Sequence, residues 1–483
     1  MTSSSLSAAA SAPLSLLRRD PGAARRQVHL GLQQITDQGA RRLERVEARV
    51  QRVTEAGLAA IGARTEHMLR ALERLSVGQI GIGVLKPDED APRHAFRLDY
   101  AAEARVGAHV ARERIAVTSF AGEDGRRRVS YGIARSAENE ETGLSWTYRY
   151  GAQETAQATH FILDEELRGT AGADRVGAAE VAALTGGQFG RAGAWPSMDL
   201  GAGADVLTVS GALSDTAFMQ VDLGAGDDVM TGALRYAQNV RGGGGDDAIS
   251  LSVELEAAVR GGDGNDAISV TAQNLAEVYG DAGDDAISLT AVEARASGGT
   301  GDDALAVIAA QAEVDGGDGN DVLTVAAGRA DLRGGAGDDV LNVAAERATA
   351  VRGGAGRDVL NVTAATGGVI DGGAGDDVIS VQGGVFEAVT GGAGDDLVVV
   401  AEAEAKVVFG AGDGADVLRV EEGARVILMA EDPVSIEESD DGARLVTLGS
   451  GDTLRIEGAG EVIFGVAQDA RPLVAAAGFD LRA

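Results

Sequence analysis

The chain has 483 residues, with 75 Asp and Glu against 42 Lys and Arg for a net charge of −33, 70 glycines and no cysteine. These figures exclude disulfides, thiolate metal sites and cysteine catalysis, and so acidic a chain would repel the phosphates of a nucleic acid. No run reaches eighteen consecutive apolar residues, so no transmembrane helix is expected.

Residues 1–20 open as a Ser/Ala-rich stretch read as disordered, and Met1 to Leu17 lack the basic region and apolar core of a secretory signal peptide. Asp20 and Pro21 have the form of a helix cap and first helical position. Apolar residues then recur three or four apart from Val28 to Leu75, which predicts a long amphipathic helix, or two, over 21–77. Two readings stay open there: a coiled coil through which the protein self-associates, or a helix folded against the next domain, because Gly39 and Gly57 interrupt the heptads. Residues 78–164 alternate in short strands, as at Phe96, Leu98 and Tyr100, and predict a small antiparallel β domain. Residues 165–196, rich in Gly and Ala, read as a linker or entry cap.

From 197 to 420 one phrase repeats twelve times, a glycine-rich turn closed by an aspartate and followed by an alternating strand, as in Gly334-Gly335-Ala336-Gly337-Asp338-Asp339-Val340-Leu341-Asn342-Val343. The closing residues are Asp205, Asp228, Asp247, Asp266, Asp285, Asp303, Asp321, Asp339, Asp358, Asp377, Asp396 and Asp416; after one spacing of 23, each step is 18 to 20 residues. A fixed period in this range predicts a solenoid in which every repeat is one coil. Pairs such as Ile268 and Val270, or Leu360 and Val362, fall two apart and predict one inward ladder. Val278, Ala296, Val314, Leu332, Val351 and Ile370, each two residues before a glycine pair, predict a second.

Stacked coils ~4.8 Å apart would put the aspartates in single file, where neighbouring carboxylates repel by about 0.8 kcal/mol even in water. A hard divalent cation relieves this, since Ca²⁺ accepts six to eight oxygens and mixes carboxylates with backbone carbonyls. Glycine can enter positive φ and turn its carbonyl towards a shared ion. The competing reading is a set of metal-free corners, for which Gly, Asp and Asn are ordinary residues. Turn chemistry alone, however, requires neither the acid in every copy nor the fixed order of glycines around it.

The phrase resembles the nonapeptide GGxGxDxUx of the RTX (repeats in toxin), or haemolysin-type calcium-binding, family, over a little under half the chain. The resemblance implies a mainly β fold, a right-handed parallel β-roll or β-helix solenoid of about 12 coils. It implies about ten Ca²⁺ in one row along one edge, a secreted and extracellular location, cell-surface association, and export by type I secretion machinery. In that family the aspartate carboxylate and the carbonyls of the glycine turn hold the metal. Here those would be the twelve aspartates with Gly243, Gly245, Gly262, Gly264, Gly299, Gly301, Gly317, Gly319, Gly335, Gly337, Gly354, Gly356, Gly373, Gly375, Gly392 and Gly394. The turn comes once per coil rather than every nine residues, so a single row of ions is expected. Individual turns drift: Leu200 and Leu223 replace the first glycine, Asp281 the second, and Arg357 precedes Asp358, so the first two sites and that of Asp358 are expected to be the weakest.

Residues 421–483 read as a hairpin cap, Arg444–Leu448 and Thr453–Ile456 about a Gly449-Ser450-Gly451-Asp452 turn, and a tail where the family carries its export signal. Thr208, Thr231, Ser250, Ser269, Ser288, Thr324, Asn342, Asn361 and Ser380 form an outward polar ladder broken by Ala306 and Val399. Some RTX modules of similar coil length bind ice through regular arrays of this kind, but the irregularity here favours a solvated strand face. No zincin pair or serine elbow is legible: Glu66-His67-Met68 has no second histidine, and Gly449-Ser450-Gly451 lies in the hairpin. The expectation is therefore a calcium-binding structural or adhesive protein. The alternative is a secreted hydrolase whose catalytic domain precedes the repeats.

Overall fold

A computed structural model describes residues 79–83 and 96–466, apart from 107, 122–126, 155–158, 188, 191–195, 215–218, 432 and 440–441. The helix expected over 21–77 and the tail beyond 466 lie outside the described residues. The fold is mainly β, a parallel solenoid of about 12 turns, and its residues divide into two compact units, one ending at Val259 and one beginning at Arg260.

In the first unit, β1 (Gln79–Gly83), β2 (Phe96–Val106), β3 (His109–Ala121), β4 (Arg127–Asn139), β5 (Ser145–Glu154) and β6 (Thr159–Thr170) form an antiparallel meander. Its core includes Val110, Ile115, Leu144, Trp146 and Leu167. Strand β6 has two partners. One edge pairs antiparallel with β5, and the other pairs in parallel with Pro196–Gly201, the first full solenoid strand. Arg175–Gly177 likewise pairs in parallel with Val206–Val209, so coiling begins before the first repeat counted in the sequence. The helix α1 (Ala178–Thr185) follows, buries Val181 and Leu184, and stops at Gly186, whose φ of 61° no β-carbon would favour. Glu165 is 1 % exposed and accepts hydrogen bonds from Trp146 Nε1 at 3.1 Å and from the Gly190 amide at 2.9 Å, which ties the loop after α1 to the meander.

In the second unit each coil has two strand halves. After every aspartate the alternation drives Ile268 and Val270, Leu323 and Val325, and Leu360 and Val362 inward, all essentially without exposure. Val278, Val314, Leu332, Val351 and Ile370 close the core from the other side. Apolar burial of this kind contributes roughly 1.5–3 kcal/mol per side chain, and successive coils share it because each inward residue stacks on its equivalent. Leu323, Leu341 and Leu360, for example, are register partners. The core is thin and aliphatic. Where Phe386 enters it, a β-carbon at Gly367 would collide with the ring, so a large residue in one coil is matched by none in the coil before.

From Val322 to Ala393 coil length varies in the second half and not in the first. Val322 to Ala327 pair one to one with Val340 to Ala345, whereas the register slips between Ala330 and Asp331, where Thr349 is the extra residue of the longer coil. At the far end Arg444–Leu448 and Thr453–Gly458 pair antiparallel, while Thr453–Gly458 and Glu461–Val466 continue the parallel stack on Ala415–Val420 and Arg425–Ala430.

Candidate metal centre

The closing aspartates do line up, but inside the turn rather than on an open edge. Eleven are at most 2 % exposed, and Asp416, the last, is 7 % exposed. Within each unit they accept hydrogen bonds from the coil before: the Asp321 amide donates to Asp339 Oδ1 at 2.8 Å, Asp339 to Asp358 Oδ1 at 2.8 Å, and Asp358 to Asp377 Oδ1 at 2.7 Å. The same bond joins Asp205 to Asp228 in the first unit at 2.6 Å. The acidic or amide residues that precede most of the aspartates form exposed runs of opposite sense, interrupted at Arg357. Asp338 donates its amide to Asn320 Oδ1 and Arg357 donates its amide to Asp338 Oδ1, both at 2.8 Å. Neighbouring turns are thus stapled in both directions.

One oxygen is left over. Oδ2 of Asp205, Asp228, Asp285, Asp303, Asp321, Asp339, Asp358, Asp377 and Asp396 is buried without a hydrogen-bond partner. From Asp285 to Asp396 it lies against the first glycine of its own turn, where a β-carbon at Gly334 would strike Asp339 Oδ2. That same point is 2.6 Å from the carbonyl oxygen of Gly353, in the next coil. Gly316, Gly353 and Gly372 repeat the arrangement with Asp321, Asp358 and Asp377. Two acceptors therefore face one small space, where a proton or a cation would satisfy both.

Burial pushes these carboxyls up. Asp228, Asp247, Asp285 and Asp396 rise to about 6, Asp303, Asp339 and Asp377 to about 7, and Asp416 to about 8; nearby carboxylates raise them further, and the amide each accepts pulls back. Asp205, Asp321 and Asp358 shift in the same direction, again chiefly through burial.

The sixteen glycines singled out by sequence all have φ between 109° and 143°. This region is closed to other residues. In addition, a β-carbon at Gly335 would collide with the Gly317 carbonyl of the previous coil, and one at Gly337 with that of Gly319. Glycine carbonyls consequently point from coil to coil through the turn. Asp281 occupies one such position at φ 79° and is held by Arg260 at 2.9 Å. Arg357 turns away from Asp358, its Nη2 lying 2.9 Å from Asp338 Oδ2, and Asp358 keeps its place in the ladder. Asp205 and Asp228 keep theirs too, with Leu200 and Leu223 buried beside them.

Three residues that bound or shape the row were not singled out from sequence. Asp174 starts it, donating its amide to Asp205 Oδ1 at 2.7 Å, while its own Oδ2 accepts from the Thr170 amide and hydroxyl at 2.7 and 3.1 Å. The phrase Gly169-Thr170-Ala171-Gly172-Ala173-Asp174 carried the signal, but its distance of 31 residues from Asp205 breaks the period. Asp452, in the closing hairpin, braces the last glycine turn, accepting from the Gly412 and Gly414 amides at 2.9 and 3.3 Å. Gly334 and its equivalents provide room for the carboxylate.

Among the described residues no three acidic, imidazole or thiol side chains converge on one point. A cation in the turn would therefore draw one carboxylate oxygen per coil and complete its shell from glycine carbonyls, a mixture calcium accepts and zinc does not favour. Fold and site together define a parallel β-solenoid with a buried aspartate ladder. No protein-family model matches the chain, and no curated protein matches its sequence.

Proposed function

We propose that the chain is a secreted calcium-binding protein of the RTX kind, whose solenoid closes when Ca²⁺ enters the turns. The observation that carries this reading is the row of buried Oδ2 atoms without a hydrogen-bond partner, which from Asp285 to Asp377 share a small space with a glycine carbonyl of the next coil. Asp205, Asp228, Asp247, Asp266, Asp285, Asp303, Asp321, Asp339, Asp358, Asp377, Asp396 and Asp416 would supply carboxylate oxygens, and the positive-φ glycines their carbonyls. When bound, the ion supplies positive charge that neutralises the ladder. The chain's own residues set the register: Oδ1 holds the coil before, and the first glycine leaves space beside Oδ2.

Extracellular calcium modules work at dissociation constants of roughly 10⁻⁴ to 10⁻³ M. With such an affinity and a net charge of −33, the chain would stay open at low calcium and fold after type I export, as a structural or adhesive element at the cell surface. Equilibrium dialysis of the full chain against CaCl₂, with bound metal counted by atomic spectroscopy, tests the reading. About ten ions per chain are expected by ladder count, one per gap. Fewer than about two, or equal uptake of Mg²⁺ at matched concentration, would contradict it.

A further inference from the structure

The two outer faces of the coils in the second unit differ in charge. On the second-half face, Glu277, Arg295, Glu313 and Asp331 are successive register partners, and Arg295 reaches Glu277 at 2.6 Å and Glu313 at 3.4 Å. On the first-half face, three outward columns run from Ala267, Ser269 and Thr271 through eight coils to Leu397, Val399 and Ala401. None of their positions is charged, whereas a chain that is 24 % charged overall would place roughly six charges there. The residues are Ala, Ser, Thr, Val, Asn, Ile, Leu and Gln, each exposed or half-buried, and Ile308, Val322 and Val378 are 40 %, 44 % and 38 % exposed. The charge-free zone ends at Arg419, which pairs with Glu457 at 3.3 Å. Register along it is unbroken, because every slip falls in the other half of the coil.

We infer that this face is the interface between two copies of the chain, packed sheet against sheet. Net charge and area point to the occupant. At −33 the protein repels its copies, and this face brings two copies together without setting carboxylate against carboxylate. Five residues across and eight coils along give roughly 17 by 38 Å, or about 650 Å² per partner and 1,300 Å² in all, the size of a stable interface. Small and β-branched side chains lose little rotamer freedom when covered, and rows of them permit the ~10 Å spacing of stacked sheets. A twofold axis would make the patch self-complementary. The inference does not rest on calcium occupancy.

The test uses the full chain in CaCl₂, its fold checked by circular dichroism, in sedimentation equilibrium with Thr324→Arg, Asn361→Arg and the uncharged control Thr324→Gln. A wild-type dimer that strengthens with NaCl, because salt screens the repulsion between copies, is expected. Each Arg variant should raise the half-dimer concentration at least tenfold with an unchanged spectrum, and the Gln control should not. If one Arg variant fails to fold, the other carries the comparison. A wild type that stays monomeric overturns the inference, whether or not it adsorbs to an uncharged solid such as cellulose. So does a dimer indifferent to both Arg variants, which would place self-association elsewhere in the chain.

Discussion

The oxygen of each buried aspartate that accepts an amide and the oxygen that does not have different jobs, and one substitution separates them. Asp339→Asn keeps the bond from the Asp321 amide but puts an NH₂ beside the Gly353 carbonyl, so a donor replaces an acceptor. In chelator, where the wild type is largely open, this variant should show the greater β-signal, since a buried mismatch worth about 1 kcal/mol has been mended. In CaCl₂ it should lose stabilisation, with a midpoint for the transition shifted to higher calcium. Circular dichroism in chelator and a calcium titration check the opposite signs; a loss of β-signal in both would mean that the carboxylate only pins the turn. Gly335→Ala differs, because φ of 131° and the Gly317 carbonyl oppose any β-carbon. A loss of about 3 kcal/mol or more is expected in urea denaturation in CaCl₂.

At the scale of the coil, the titration of the ladder gives the metal-free and metal-bound proteins opposite pH dependence. The folded carboxyls sit at about 6 to 8 against 3.8 for the free group, so they favour the fold when protonated. That stability is fully present below 3.8 and is lost as pH rises through the folded values. In chelator the β-signal should therefore grow between pH 8 and pH 5. In saturating CaCl₂ the urea midpoint should fall over the same range, because the ion needs the ionised form. Stability that moves the same way in both would contradict metal binding at these carboxylates. Much of the coil was legible because its period forces it: the inward ladders follow from alternation, and the glycines from their fixed place before the aspartate. The reason for the first glycine was not legible, since it depends on where a carboxylate five residues later folds back. Nor was the place of the extra residue in longer coils, which the sequence counts but does not position. Asp174 escaped because α1 and the following loop separate it from the regular spacing. The bond from Trp146 to Glu165 joins β5 to β6 across 19 residues of sequence, and no local pattern announces it.

Over the whole molecule, residues 197–420 hold 38 of the 75 acidic residues but only 11 of the 42 basic ones, so net negative charge gathers where the repeats build their core, and electrostatic repulsion and apolar burial act on the same coils in opposite directions. The two rows of hydrogen bonds offset some of that repulsion but leave the charge in place, and a ligand that binds only the folded form shifts the balance by mass action. The central claim is that divalent ions in the turns decide whether the coils close. It is tested most directly by circular dichroism of the full chain, stripped by chelator at pH 7.5 and titrated first with MgCl₂ and then with CaCl₂. The account predicts little β-signal in chelator or magnesium and a cooperative gain in the millimolar range of calcium or below. A spectrum already complete in chelator, or produced equally by magnesium, would contradict it.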